Sequence, residues 1–414
     1  MSFDILLENF FRAPLVAIDD QIDDASDRIS GFIERLRGKN VPVVTYKRIP
    51  DPDIIRSFFS VSFIILDWRY ADLDYDFGDI DEDIEVELPN VDRTRQKQVL
   101  DFIKKIQLDT FVPIIMITQE GISEIKDIML EHSMNQSQIE SIFFYDKSNL
   151  DDIELFAVEL NGWFKLNPAA YLLRKWDIMA GETKNIMFRE LSSKSSDWAS
   201  FIRMVFRNDR GDIDGDCTEF LNNQFVNRFK ELVLDDDYFA DVTSIKENEI
   251  REIIQTTRFI RKKTNEEYRF CRTGDLFKDK KGRYWLNIRA QCDVTRKRNN
   301  KIELYLISGK AFSESKVASN LDSYGNIKEK VYEAYTKYID DKYAIGFDLR
   351  DLKVVDKEEA IGENCEYIFV GRLLKPDITR IQQKFASYII REGLMPLPNL
   401  TDYSVKTATE ALDR

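Results

Sequence analysis

The sequence predicts an α/β domain built on a parallel sheet of five strands, followed by an α+β domain with a small β-barrel or mixed sheet. Short apolar runs alternate with helical periods over the first 165 residues, which is typical of an α/β sheet. After about residue 268 the pattern changes to closely spaced strands. The length of 414 residues exceeds what one hydrophobic core usually organises, so we expect more than one domain.

Five apolar runs predict the strands of the first domain, and each is followed by polar residues and a helical period. The runs cover residues 14 to 19, 41 to 46, 62 to 68, 112 to 118 and 141 to 147. The helical periods cover residues 22 to 36, 54 to 59, 93 to 108, 122 to 131 and 150 to 165. Continuous apolar strands are typical of strands buried on both faces, which favours a parallel, doubly wound sheet.

We place the domain boundaries where these patterns change. The first domain spans residues 1 to 165, and a helical connector with Pro168 in its first turn spans 166 to 195. The C-terminal domain spans 196 to 414. It is mainly helical from 196 to 264 and strand-rich from 265 to 414, and it ends in an amphipathic helix.

The net charge of −14 is unevenly divided along the chain. Residues 1 to 190 hold 21 basic and 36 acidic residues, whereas the remainder is close to neutral. The acidic half argues against affinity for nucleic-acid phosphates or an anionic membrane surface, while the second half remains open to a modest phosphate-binding patch. The start of the chain lacks a secretory signal pattern and no apolar run is long enough to span a membrane, so we expect a cytoplasmic protein.

The rare residues argue against several catalytic classes. The four cysteines include no C-x-x-C pair and His132 is the sole histidine, which argues against a Cys/His zinc site. His132 lies at the end of a predicted amphipathic helix, where we expect a capping or solvent-facing role. A Ser-His or Cys-His triad would therefore require this one residue as its base.

Polar side chains end four of the five predicted strands. Asp19 and Asp20 end the first strand, Asp67 the third, Thr118 the fourth and Lys147 the fifth. The carboxyl ends of parallel strands lie at one edge of the sheet, so we expect these side chains to converge. Three converging carboxylates favour a hard cation such as Mg²⁺, and an adjacent hydroxyl and ammonium complete a site for phosphoryl transfer to Asp67.

These blocks resemble the receiver domain of two-component response regulators. PLVAIDD, FIILDW, PIIMIT and FFYDK match its four blocks in order, over about residues 10 to 165. The resemblance implies a five-stranded flavodoxin-like fold with Asp67 as phosphoacceptor. It further implies that Asp19, Asp20, Asp67 and the backbone carbonyl of Arg69 hold Mg²⁺. Phe144 matches the aromatic switch position, which moves when the Thr118 hydroxyl turns towards the phosphoryl group.

Two departures from the receiver pattern stand out. Lys147 is followed by Ser148 where receivers usually have a proline, so we expect a trans bond, because a cis bond without proline costs roughly 3 to 4 kcal/mol. Residues 71 to 92 form an insertion with ten acidic residues and no basic one. This insertion lacks the EF-hand spacing for Ca²⁺, which leaves a solvated loop or a partner-selecting surface as its interpretations.

The second half contains no Walker, zinc-protease, nucleophile-elbow or kinase motif. Basic clusters at 258 to 263 and 295 to 301 are interpreted as solvated faces, with a phosphate or RNA contact as the alternative. The blocks TGDLF, YWLNIRAQCDV and VGRLLKPDITRIQQKFASYIIREG are similar to receiver-bearing proteins of Detocs-type phosphorelay systems in bacterial anti-phage defence. There the chain resembles the phosphate-buffering member, because no nucleosidase motif is present.

The leading hypothesis is a phosphoacceptor protein that takes a phosphoryl group from a sensor histidine kinase and signals through, or stores it on, a non-enzymatic C-terminal domain. A receiver-effector protein of the same system is a second partner, and a homodimer is left open. One alternative is a receiver-gated effector acting on nucleic acid or nucleotide. The other is a scaffold with an inactive receiver, although inactive receivers typically lose site residues and none is lost here.

Overall fold

The chain divides into two compact units. The first contains Met1–Ser196 and Leu221–Val242, and the second contains Asp197–Phe220 and Thr243–Arg414. The computed structural model describes residues 3–51, 54, 57, 61–69, 91–208, 213–241, 245–261, 271–294, 301–323, 326–337, 339, 344–361 and 366–391. No helix within these ranges is long and apolar enough to cross a membrane.

The first unit is built on a five-stranded, all-parallel sheet, as predicted. Its strands are β1 (Leu15–Ile18), β2 (Val43–Tyr46), β3 (Ile64–Asp67), β4 (Ile114–Thr118) and β5 (Ile142–Asp146). They lie in the order β2-β1-β3-β4-β5, the flavodoxin-like arrangement. All residues of β1, β3 and β4 are buried, which explains why their sequences are continuously apolar.

Within the described residues, seven α-helices accompany this sheet. They are α1 (Phe3–Phe10), α2 (Arg28–Gly38), α3 (Val91–Asp109), α4 (Ile122–Glu131), α5 (Gln136–Glu140), α6 (Ile153–Leu166) and α7 (Pro168–Lys194). Helices α1, α2 and α6 contribute to one hydrophobic cluster with the sheet, and α3, α4 and α5 contribute to a second. Alternate residues of the strands belong to these two clusters, so the sheet has a core on each face.

Helix α7 has Pro168 in its first turn, and a buried arginine ties it to α1. The side chain of Arg174 is 1% exposed, and its Nε and Nη2 donate to the carbonyl of Phe10 at 3.2 and 3.0 Å. Its Nη1 donates to Asp177 at 3.0 Å. Arg174 therefore satisfies a carbonyl at the C-terminal end of α1, where intrahelical donors run out. Helix α1 itself was not predicted from the sequence.

The second half of the chain contains a seven-stranded sheet. Its strands are β6 (Phe259–Arg261), β7 (Asp275–Asp279), β8 (Tyr284–Asn287), β9 (Glu303–Phe312), β10 (Glu333–Lys337), β11 (Ala344–Asp356) and β12 (Tyr367–Leu373). Helices after α7 are α8 (Trp198–Asn208), α9 (Ile213–Arg228), α10 (Glu247–Arg258), α11 (Gln291–Val294), α12 (Glu314–Val317), α13 (Lys357–Ile361) and α14 (Asp377–Ile389).

This second sheet is a curled antiparallel half-barrel, which agrees in part with the expected small barrel or mixed sheet. The strand order is β10-β11-β9-β8-β7-β12-β6, and every described pairing is antiparallel. The sheet is curled and open, a half-barrel whose edge strands β10 and β6 are not paired with each other among the described residues. Register shifts between Asp348 and Leu352 and between Phe369 and Gly371 interrupt its longest pairings, and such bulges bend a strand.

Several predicted segments fall outside the described residues. These are most of the predicted helix at 54 to 59, residues 71 to 90 of the acidic insertion, residues 262 and 263 of the first basic cluster and residues 295 to 300 of the second. The mainly helical segment expected up to residue 264 ends earlier, because α10 gives way to β6 at Phe259. The final predicted helix is present as α14.

Candidate functional site

The site lies at the carboxyl edge of the parallel sheet. Asp19 follows β1 directly, Asp67 is the last residue of β3, Thr118 ends β4 and Lys147 follows β5. These four side chains are buried, although each is polar or charged. Polar groups buried in this way need hydrogen-bond or ion-pair partners.

Lys147 joins the strand ends electrostatically. Its Nζ lies 3.1 Å from Asp67 Oδ2 and 3.2 Å from Asp19 Oδ2, and the Lys147 side chain is 5% exposed. A third carboxylate, Asp27 Oδ1, lies 3.4 Å from the same Nζ. Charge-assisted contacts at these distances are stronger where water is excluded, so the ammonium holds β1, β3 and the segment after β5 together.

Backbone donors orient the two buried carboxylates. The Gln21 N–H donates to Asp19 Oδ1 at 2.7 Å, and the Arg69 N–H donates to Asp67 Oδ1 at 3.0 Å. In each carboxylate Oδ1 is therefore bound by the following turn, while Oδ2 faces Lys147. The backbone thus fixes both carboxylates before any ligand arrives.

The electrostatics of the site raise the pKa values of both Asp19 and Lys147. Burial and the neighbouring Asp67 charge raise the pKa of Asp19 to about 7, although Lys147 and the Gln21 N–H oppose the shift. Burial alone would lower the pKa of Lys147, but the charges of Asp67 and Asp19 outweigh it and raise this pKa above its ordinary value. Lys147 is therefore a permanent cation at physiological pH.

The acidic cluster could hold a metal ion. Asp19, Asp20 and Asp67 each offer a carboxylate oxygen within 4.8 Å of the others, and Asp20 is half-buried where the other two are buried. Among the described residues this is the sole group of three or more acidic, histidine or cysteine side chains so arranged. An all-oxygen donor set of this kind suits a hard divalent cation.

Thr118 is connected to a polar cluster that covers the end of β3. Its hydroxyl accepts a hydrogen bond from the Glu120 N–H at 2.9 Å. The Glu120 carboxylate in turn accepts from Trp68 Nε1 at 2.9 Å and Arg69 Nε at 2.6 Å. The Trp68–Glu120 contact thus links the residues that follow β3 with those that follow β4, directly beside Asp67.

Phe144 lies away from these polar contacts, in the cluster formed with α3, α4 and α5. It is 9% exposed, and Lys126 Nζ lies 5.1 Å from its ring centroid. Among the described residues the sole cis peptide bond precedes Pro376, so the bond between Lys147 and Ser148 is trans, as predicted. His132 caps the C-terminal end of α4 and is exposed, which also agrees with the sequence-based expectation.

Two members of the site were missed in the sequence. Asp27 is the N-cap of α2, and an aspartate directly before a helical period is a recognisable capping signal that could have located the helix start. Its contact with Lys147, 120 residues away, has no local signal. Glu120 likewise depends on Trp68 and Arg69, which are distant in sequence and meet it only because β3 and β4 are neighbours.

A comparison with models of protein families finds no match for this chain, and a comparison with curated proteins finds none either.

Proposed function

We propose that the chain is a phosphoacceptor receiver protein that takes a phosphoryl group on Asp67. One observation carries the proposal: a buried ammonium lies between the carboxylates of Asp19 and Asp67, at the edge of the sheet where Asp20 and Thr118 also lie. Such a site has an anionic nucleophile, a fixed cation, a hydroxyl group and carboxylates that could hold a hard cation. Those are the parts that phosphoryl transfer requires.

The transfer needs no proton abstraction, because the nucleophile is already a carboxylate. Asp67 Oδ2 would attack phosphorus, the new P–O bond would form, and the bond from phosphorus to the donor's imidazole nitrogen would break. The bonding pair would leave with the histidine of the kinase. Asp67 Oδ1 keeps the hydrogen bond from the Arg69 N–H throughout, so the attacking oxygen is held in a fixed direction.

The remaining residues would stabilise charge on the phosphoryl oxygens. Lys147 would follow the charge from the Asp67 carboxylate to the new phosphoryl group, and Thr118 would turn its hydroxyl from the Glu120 N–H to donate to a phosphoryl oxygen. Asp19, Asp20 and Asp67, with the Arg69 carbonyl, would hold Mg²⁺, which would neutralise two of the phosphoryl charges.

For the biological role, we propose signalling or phosphate buffering in a bacterial anti-phage phosphorelay, with a sensor histidine kinase as the donor. The support is that all five polar residues of the receiver resemblance are present, together with the C-terminal sequence blocks that resemble Detocs-type proteins. Catalytic motifs are missing from the C-terminal half of the sequence, which favours a buffering member over an effector.

The experiment is phosphorylation by acetyl phosphate with Mg²⁺, read by intact mass. We expect one phosphoryl group on the wild type and none on Asp67→Asn. Asp101→Asn is the matched control, since Asp101 is exposed on α3. Equal labelling of Asp67→Asn and the wild type would refute the proposal, and so would an unlabelled wild type.

A further inference from the structure

The structure assigns a positioning role to Asp27, an inference that rests on the proposed function. We infer that Asp27 is a fourth carboxylate of the site, which retains Lys147 when a divalent cation takes Asp19 and Asp67, and that it thereby strengthens cation binding. Of the three carboxylates within ion-pair distance of Lys147 Nζ, Asp27 is the one outside the metal-binding group.

Asp27 is held in place by its role as a helix cap. Its Oδ1 accepts a hydrogen bond from the Ile29 N–H at 2.8 Å, and this same oxygen faces Lys147 Nζ. The Asp27 side chain is 16% exposed, so solvent screens its charge only in part. The position of the carboxylate is therefore set by the start of α2 and does not depend on the lysine.

The start of α2 is in turn anchored to the segment that carries Lys147. Arg28 donates to the carbonyl of Ser148 and pairs with Asp151 at 3.6 Å. Arg35 donates to the carbonyl of Leu150 at 2.6 Å. These contacts join the start of α2 to the segment that carries Lys147 without involving the ends of β1 and β3.

Lys147 and a metal ion would draw on the same two carboxylates, those of Asp19 and Asp67. The ammonium contacts Asp19 Oδ2 and Asp67 Oδ2, and both residues belong to the cluster that could bind a cation. A cation bound by these carboxylates would draw their charge away from the ammonium, which would leave the buried Lys147 short of a partner. Asp27 supplies that partner, because its carboxylate is not needed by the cation.

The experiment is calorimetric titration of the full chain with Mg²⁺, comparing Asp27→Asn with the wild type. Asparagine is as good an N-cap as aspartate, so the variant removes the charge and keeps the helix start. We expect the affinity for Mg²⁺ to fall about tenfold. Lys147 would bind Asp19 more strongly in this variant, and the site would lose one negative charge. Asp24→Asn is the control, because Asp24 also accepts a local backbone hydrogen bond but is exposed. We expect its effect to stay below about twofold.

A double-mutant cycle separates positioning from a simple field effect. In a Lys147→Gln background there is no ammonium to retain, so Asp27→Asn should weaken Mg²⁺ binding by no more than about threefold. An equal loss in both backgrounds would overturn the positioning role, and so would an Asp27→Asn affinity equal to that of Asp24→Asn. If Asp27→Asn does not fold, Asp27→Ser provides a second neutral cap for the same titration. A wild type that binds no Mg²⁺ would refute the proposed Mg²⁺ site and this inference with it.

Discussion

Replacement of Lys147 by methionine removes the cation that the carboxylates of Asp19, Asp27 and Asp67 share. Methionine has a similar length and is apolar, so the buried stem is kept while the ammonium is lost. Asp19, Asp27 and Asp67 would then face one another without their common partner. Their repulsion should loosen β1 and β3 specifically, and lower pH or a divalent cation should restore them.

The magnitude follows from the distances. At an effective dielectric constant of about 20, a unit charge pair separated like Lys147 Nζ and Asp67 Oδ2 attracts by about 5 kcal/mol, and the Asp19 pair contributes similarly. Desolvation of the ammonium offsets much of this, and loss of one partner from a buried ion pair typically costs about 3 to 5 kcal/mol. Because Asp19 has a pKa of about 7 and can take up a proton, we expect the lower end, about 3 kcal/mol near neutral pH.

The assay is hydrogen exchange of backbone amides in β1 and β3, since a global melt of a chain with two compact units does not isolate one of them. A loss of about 3 kcal/mol corresponds to exchange about a hundredfold faster. Lys126→Met is the control, because Lys126 is exposed and should change exchange little. Exchange in Lys147→Met no faster than in Lys126→Met would refute the reasoning, and so would an effect that grows as pH falls towards 6.

Three further outcomes are expected. Burial raises the pKa of Asp275 to about 7 although Arg372 opposes it, so protonation favours the folded state. The free energy of unfolding therefore falls as pH rises from about 4 to about 7, by up to about 1.4 kcal/mol per pH unit. In Asp275→Asn, the stability of β7 measured by hydrogen exchange should depend less on pH over this range. Arg174→Met should destabilise α1 by about 2 kcal/mol in the same assay, because the Phe10 carbonyl loses both donors. Thr118→Val should slow labelling by acetyl phosphate about tenfold relative to the wild type, with Thr110→Val as the control, and an unchanged rate would exclude a role for the hydroxyl.

The parallel sheet and most of its site could be predicted because both depend on short, local sequence patterns. Each strand is a short apolar run that ends at a polar residue, and the parallel order places those endings at one edge. Asp19, Asp67, Thr118 and Lys147 follow from that geometry alone. To predict that these four side chains lie close together, only the parallel strand order is needed, and no other long-range contact.

The missed features depend on partners that are far apart in sequence. Helix α1 has only eight residues. Its three buried residues, Phe3, Leu6 and Phe10, belong to a helix that packs against α6 and α7, which are distant in sequence. Strand β10 was not predicted from the sequence, because it buries only Ala334 and Thr336 and its apolar alternation is weak. The edge pair of the second sheet, β12 with β6, places Gly371 against the Ile260 carbonyl and the Phe259 ring, a close approach that no local sequence pattern predicts.

The central claim is that Asp67 accepts a phosphoryl group, and the most direct test is to locate that group in the chain. Full-length protein is treated with acetyl phosphate and Mg²⁺, reduced with borohydride, which converts an aspartyl phosphate to homoserine, and mapped by peptide mass spectrometry. We expect homoserine at position 67 in the wild type, and none when Mg²⁺ is removed by a chelator. An intact aspartate at position 67 under labelling conditions, or conversion at another carboxylate instead, would contradict the claim.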